Sequence, residues 1–421
     1  MSKSLIRRAK LLYAEYPRQF WVVLGASFID HIGGALLFPF FALYVTQHFD
    51  VGMTEVGILF AIFSVAQFFG SMFGGALTDQ IGRKRVIIIG LVVSALSSLV
   101  MGFVHELEIF YLMAILVGVF ADMAGPAHQA MITDLLPEKQ HADGFGLMRI
   151  ASNLAVAIGP AIGGFIAARS FLLLFAADAL SSVIAAFVFY KLVEETRPRT
   201  AESIAADPGF KATFRGYLTV LKDRAFITFM LLSIVITVVY TQMYGSLPVF
   251  LRDIHQIPTS GFGMIMSLNA TMVVLFQLAI TRRLREKPPM LMMSLGALFY
   301  AVGFAMYAFI DSFALFMLAM AIITIGEMIV SPVAQALVAK FSPEDMRGRY
   351  MAVFGISWLI PGAVGPLLAG LVMDAGKPLW VWYGAGLLGL VSALGFALFH
   401  RYFRAPQHLP LPPIAAEEEI A

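Results

Sequence analysis

The chain has 421 residues, of which 59% are hydrophobic and 13% charged, with a formal net charge of +2. A soluble domain carries about 25% charged residues, so this balance excludes a soluble enzyme, a disordered chain and a nucleic-acid binder. The absence of cysteine excludes disulfides, thiolate metal sites, iron–sulfur clusters and a thiol nucleophile.

The first residues are basic (Lys3, Arg7, Arg8, Lys10). The apolar run after them is too long for a cleaved leader and no small-residue site closes it, so it reads as a span. Crossing a bilayer takes about 20 apolar residues. Twelve runs meet that length and predict spans at 20–45, 55–77, 86–104, 109–135, 147–168, 171–193, 226–250, 260–281, 290–310, 313–338, 350–373 and 379–400. The runs are continuous rather than alternating, which excludes a barrel. A backbone in lipid must satisfy its own hydrogen bonds, which makes them helices.

Basic residues set the orientation. They precede span 1 (Arg18) and lie between spans 2 and 3 (Arg83, Lys84, Arg85), 4 and 5 (Lys139), 8 and 9 (Arg282, Arg283, Arg285, Lys287), and 10 and 11 (Lys340, Arg347, Arg349). More surround the connection from span 6 to span 7, and Arg401 and Arg404 follow span 12. The other side carries Arg169, Arg252 and Lys377. We therefore expect a multi-pass protein of the plasma (inner) membrane with both termini cytoplasmic. The charged segment 194–225 (Pro198, Pro208) separates six spans from six, and 210–223 has the pattern of an interfacial amphipathic helix. The expected organisation is a first bundle at 1–193, a cytoplasmic linker at 194–225, a second bundle at 226–405 and a disordered cytoplasmic tail at 406–421.

The two sets of six repeat one another. At an offset of 206, Gly57 aligns with Gly263, Gly90 with Gly296, Pro126 with Pro332, Pro137 with Pro343, Gly159-Pro160 with Gly365-Pro366, and Gly164 with Gly370. The fold class is thus all-α integral membrane, with twelve transmembrane helices in two pseudo-symmetric six-helix bundles. Duplicated halves place a binding site between them near the midplane and permit alternating access by rocking.

After span 2 the chain reads Gly75-Ala-Leu-Thr-Asp79-Gln-Ile-Gly82-Arg83-Lys84-Arg85. Gly75 and Gly82 suit close packing and a tight turn, and Asp79 stands among bases with which it can pair. This stretch resembles the signature loop of the major facilitator superfamily, G-x-L-x-D-x-x-G-R-K-R, and the resemblance extends over nearly the whole chain. It implies a conformational latch of Gly75, Asp79, Gly82 and Arg83 with Asp134 at the end of span 4 and with the start of span 11. The equivalent stretch 281–287 lacks the Asp, so the latch is one-sided. Span 5 carries Gly159, Pro160, Gly163 and Gly164, which is similar to the G-P-x-x-G-G motif of the twelve-span drug:proton antiporters. There Pro bends the helix and small residues let a neighbour approach. Span 4 keeps Gly118, Pro126, Ala130 and Asp134 of the family pattern, but Ala114 stands where the family usually has Arg.

Four acids lie inside spans: Asp30, Asp122, Asp178 and Glu327. A carboxylate at the bilayer centre costs about 2.5–3.5 kcal/mol on insertion scales, which makes each a candidate for proton coupling or substrate binding. Burial favours the protonated form of a carboxyl, so such a group can exchange a proton for a cation. Each also has a structural reading as a helix-to-helix hydrogen bond, which for Asp178, beside Ser181 and Ser182, is at least as good. Arg149, at the start of span 5, is placed to pair with one of them or to snorkel. His31 and His128 read better as structural than as proton relays. No ligand spacing such as H-x-x-x-H is present, so no metal is expected. Candidate polar lining of a substrate cavity is Gln67, Asn153, Tyr240, Gln242, Tyr244 and Asn269, among abundant Phe and Met suited to a pliable apolar pocket.

The expected function is a proton-coupled secondary transporter that exports lipophilic or cationic small molecules by alternating access. A lipid or lysolipid translocator and a nutrient symporter of the same fold are the alternatives. No nucleophile–base constellation points to an enzyme. No cofactor is expected, with the proton gradient as energy source. The expected partners are an amphiphilic small molecule, protons and membrane lipids, with the chain acting as a monomer.

Overall fold

The computed structural model describes residues 13–197, 218–284, 286–343 and 346–402. The side chains of Asp79, Asp122 and Arg347 lie outside what it describes, as do the tail and most of the linker. Span 1 comprises Arg18–Leu37, a tight turn at Phe38–Phe40 and Phe41–His48. The turn falls at Pro39, whose missing N–H interrupts the α-helical ladder. Spans 2 to 6 are Met53–Ile81, Arg83–Met101, Leu107–Leu135, His141–Ala167 and Phe171–Leu192. Spans 7 to 12 are Arg224–Thr241, Thr259–Leu284, Pro289–Met306, Phe313–Phe341, Arg347–Asp374 and Pro378–Tyr402. Among the described residues there is no strand. All twelve are long and apolar enough to cross a membrane.

Outward side chains such as Phe165, Leu96 and Leu387 stay at least 62% exposed, as expected where lipid is the solvent.

One expected boundary moves. The sequence runs span 7 through 250, but the helix ends at Thr241 and restarts as a separate short helix, Leu247–His255. Pro248 stands in the first turn of that short helix, where its missing N–H costs nothing. Gly245 lies at the break against Pro366.

Within the first half, span 1 packs on spans 5 and 6, span 3 on spans 4 and 6, and span 2 on span 4. In the second half, span 7 packs on spans 11 and 12, span 9 on spans 10 and 12, and span 8 on span 10. The halves meet through spans 2 and 11 and through spans 5 and 8. The repeat is visible in the closest contacts. A Cβ on Gly164 would meet Gly263 Cα at 2.8 Å, and one on Gly57, the repeat-mate of Gly263, would run into Leu367 Cα. Gly90 faces the Phe120 carbonyl and Gly296 faces that of Gly326, at 3.3 and 3.2 Å, again at the same offset.

On the face opposite the termini, two polar ties and a ring contact join the halves. Asp374, ending span 11, accepts from the backbone N–H groups of Met53 and Thr54 at 2.9 and 2.7 Å. Arg252 on the short helix donates to Thr46 Oγ1 at 2.9 Å. Phe40 meets Phe262 edge-on at 5.7 Å between ring centres.

Candidate functional site

Spans 7, 9, 10 and 11 line a small, partly open cavity of about 80 Å³. Its apolar wall is Ile236, Met293, Tyr300, Val330, Phe354 and Trp358, and its polar side is Ser233, Thr237, Tyr240, Glu327, Ser331 and Gln335. Glu327 is reached from two neighbouring helices. Tyr240 on span 7 donates its hydroxyl to Oε1 at 3.0 Å, and Asn269 on span 8 donates Nδ2 to Oε2 at 2.7 Å. Asn269 is buried and lies 3.0 Å from Thr324 Oγ1. The Tyr240 ring is held by Tyr300 at 5.7 Å and by Trp358, edge-on, at 5.8 Å. Among the described residues Glu327 forms no ion pair. A carboxyl held by neutral donors can gain or lose a proton without breaking a salt bridge, and its charged form is left for a ligand to compensate.

Of the residues expected from sequence, Glu327, Tyr240 and Asn269 come together here. Tyr244 is adjacent, 6.0 Å from Tyr240 and 5.7 Å from Phe38 of the other half. Three do not belong to this cavity. Gln242 is buried at the break of span 7, where it donates to the Val238 carbonyl at 3.0 Å and accepts from Ser246 at 2.7 Å. There it closes the turn rather than lining a pocket. Gln67 and Asn153 are exposed on spans 2 and 5 and are not part of the lining.

Arg149 reaches neither Glu327 nor Asp30 directly. It crosses from span 5 to span 10, donating to Gln335 Oε1 and, at 3.4 Å, to Ser331 Oγ. Sequence reasoning missed this partnership. The available signal was the four-residue spacing of Glu327, Ser331 and Gln335, which puts all three on one helix face.

Asp30 and Asp178 lie within the first bundle instead. Asp30 accepts from Ser182 Oγ at 2.7 Å and Asp178 from Ser98 Oγ at 2.6 Å, tying span 6 to spans 1 and 3. His31 Nδ1 bonds the Ser27 carbonyl at 2.6 Å and His128 Nδ1 that of Ala124 at 3.0 Å. His128 packs edge-on against Phe189 at 5.3 Å, and its buried Nε2 has no hydrogen-bond partner among the described residues.

At the loop between spans 2 and 3, Arg83 Nε pairs with Asp134 Oδ2 at 3.0 Å, the two side chains being 12% and 18% exposed. Thr196 Oγ1 donates to the same oxygen at 3.0 Å. Glu195, not singled out from sequence, accepts the Arg83 backbone N–H at 2.8 Å. Gly82 has φ of 103°, a conformation that only glycine takes without strain. Gly75 has open space around its Cα, and the close approach expected there is made by Gly74 against the Met123 carbonyl. In span 5, Gly159 and Gly163 lie against Ala35 and the Leu36 carbonyl of span 1, while Gly164 faces span 8. The motif therefore serves both an intra-bundle and an inter-bundle contact.

Twelve spans in two repeated bundles, with a carboxyl in a cavity among the spans, define a secondary transporter. The chain matches the Major Facilitator Superfamily over residues 23–366, and again over 292–420, and belongs to that family. It is 28% identical to a Na(+), Li(+), K(+)/H(+) antiporter of Planococcus maritimus, over 92% of this chain and 97% of that one. It is 24% identical to the quinolone resistance protein NorA of Staphylococcus aureus (strain MSSA476), over 90% and 96%. The solved nucleoside transporter NupG superposes with a TM-score of 0.74 at 16% identity, covering 92% of this chain and 100% of that one. At that identity the likeness concerns the fold alone.

Proposed function

We propose that this transporter exchanges protons for lipophilic, cationic small molecules and exports them by alternating access. The observation that carries the reading is Glu327, a carboxyl with neutral donors on both oxygens, set among Tyr240, Tyr300 and Trp358. Aromatic faces attract organic cations, and the carboxyl can hold either the cation or a proton. With the termini cytoplasmic, as the distribution of basic residues favours, the ties through Asp374 and Arg252 close the external face. Proteoliposomes with an imposed proton gradient should concentrate a fluorescent lipophilic cation, and Glu327→Gln should reduce this at least tenfold while leaving the protein folded. Gradient-driven transport that survives Glu327→Gln would overturn the assignment of that residue.

A second reading is exchange of monovalent metal cations for protons, favoured by the likeness to the Planococcus maritimus antiporter over 97% of its length. In the same vesicles, added Na⁺ or K⁺ would then dissipate a preformed pH gradient with no organic substrate present.

A further inference from the structure

A base stands at the edge of the cavity: Arg149, exposed on span 5, touches two residues of its lining, Ser331 and Gln335. Arg149 brings a guanidinium from the other half of the molecule onto the face of span 10 that carries Glu327. Ser331 and Gln335, its two partners, follow Glu327 by one and two helical turns, so they stand roughly 6 and 12 Å from it along the axis of span 10 at 1.5 Å per residue. Glu327 and Arg149 do not form an ion pair with each other. Tyr240, Tyr300, Phe354 and Trp358 line the cavity along with Glu327, Ser331 and Gln335. Arg149 also has no carboxylate partner among the described residues; its donors are spent on an amide and a hydroxyl. A guanidinium presents five donors in a fork matched to a carboxylate, and neutral acceptors satisfy it less well than an anion would.

We propose that Arg149 is a specificity-determining residue, and that the cavity selects zwitterionic aromatic amphiphiles, with the amine on Glu327 and the anionic end on Arg149. This rests on the transporter reading above but sharpens the substrate class from cations to molecules bearing both charges across an aromatic body. The anion replaces Ser331 and Gln335 as the partner of Arg149. Because Arg149 comes from span 5 and Glu327 from span 10, such a ligand spans the two halves, whereas a simple cation engages one.

The test uses binding to the purified full-length protein with three matched probes. These are 4′-(aminomethyl)biphenyl-4-carboxylic acid, its methyl ester, which keeps only the cation, and its N-acetyl derivative, which keeps only the anion. The zwitterion is expected to bind at least tenfold more tightly than either. Arg149→Gln should bring the zwitterion down to the level of the ester and leave the ester unchanged, while Arg149→Lys should retain part of the preference. Glu327→Gln should weaken the zwitterion and the ester and spare the N-acetyl compound. Equal binding of zwitterion and ester to the native protein overturns the proposal. So does an Arg149→Gln protein that melts normally and loses affinity for all three alike. Binding is measured without a gradient, so a failure of proton coupling would sink the transport reading and leave this pattern intact.

Discussion

At the scale of single residues, the molecule separates polar groups that hold helices together from those left with unused capacity. Asp30 and Asp178 each accept a serine hydroxyl from a neighbouring span, and Gln242 closes a turn. Glu327 and Arg149 differ because Glu327 lines the cavity and Arg149 touches two residues that do, so a ligand can reach them. A second unsatisfied group lies outside the spans. His255 packs between Phe250 and Phe316 at 5.1 and 4.7 Å, with its Nε2 buried and unpartnered among the described residues. Burial lowers its pKa below the ordinary 6.5, and Asp311, 3.9 Å away, only partly opposes this. The unfolded chain therefore takes up the proton first as the pH falls. Stability from this group is complete above about 6.5 and is lost as the pH drops from there toward the lowered folded value. His255→Gln is expected to flatten the acid limb of the melting temperature between pH 7 and 5; an identical limb would assign the effect elsewhere.

At the scale of elements, the spans were legible because lipid demands unbroken apolar runs, and the repeat was legible because glycine and proline recur at one spacing. The break in span 7 was not. The residues from Leu247 to Leu251 are all buried and apolar or Pro, so hydropathy continues across the turn while the helix axis does not. Gly245 and Pro248 marked it, but similar residues sit inside unbroken spans, as Pro126, Pro160 and Pro332 do. Of the candidate cavity residues, those found were polar groups close in depth to Glu327. Gln67 and Asn153 are equally polar but stand exposed on spans 2 and 5, outside the lining, and only tertiary packing decides which way a helix is turned. The repeat also makes an element-level prediction. A Cβ on Gly263 would lie 2.9 Å from Gly164 Cα, a backbone atom that cannot step aside. Gly263→Ala should push span 8 from span 5 at a cost of about 1–3 kcal/mol. The native chain has no cysteine, so a single Leu43→Cys on the sealed face reports opening cleanly. Its maleimide labelling should rise roughly tenfold in the Gly263→Ala background, and unchanged labelling would show that spans 5 and 8 are not in contact in the resting state.

Across the whole molecule, the two seams between the halves are built from equivalent positions but are not equivalent in chemistry. Spans 5 and 8 meet glycine to glycine at Gly164 and Gly263. Spans 2 and 11 meet with Gly57 against Leu367 and Gly370 against the Met53 carbonyl, and add Asp374, which caps the start of span 2 with two charge-assisted hydrogen bonds. At the repeat offset, Asp374 corresponds to Ala168 and Met53 to Thr259, so the other seam lacks this cap. Rocking about the cavity must therefore break a helix cap at one seam, while the other side is crossed by the Arg149 bonds to span 10 and has no such cap. Replacing an N-terminal cap by Ala costs about 1 kcal/mol, and that loss falls on the state in which Asp374 meets span 2. Asp374→Ala should thus move the resting equilibrium about fivefold toward opening of this face. Spin labels at Ile58 and Leu371, which are 38% and 51% exposed, would show a longer-distance population growing by that factor. A distance distribution identical to that of the native protein would mean that the cap does not contribute to the sealed state, and that the glycine contacts alone hold both seams.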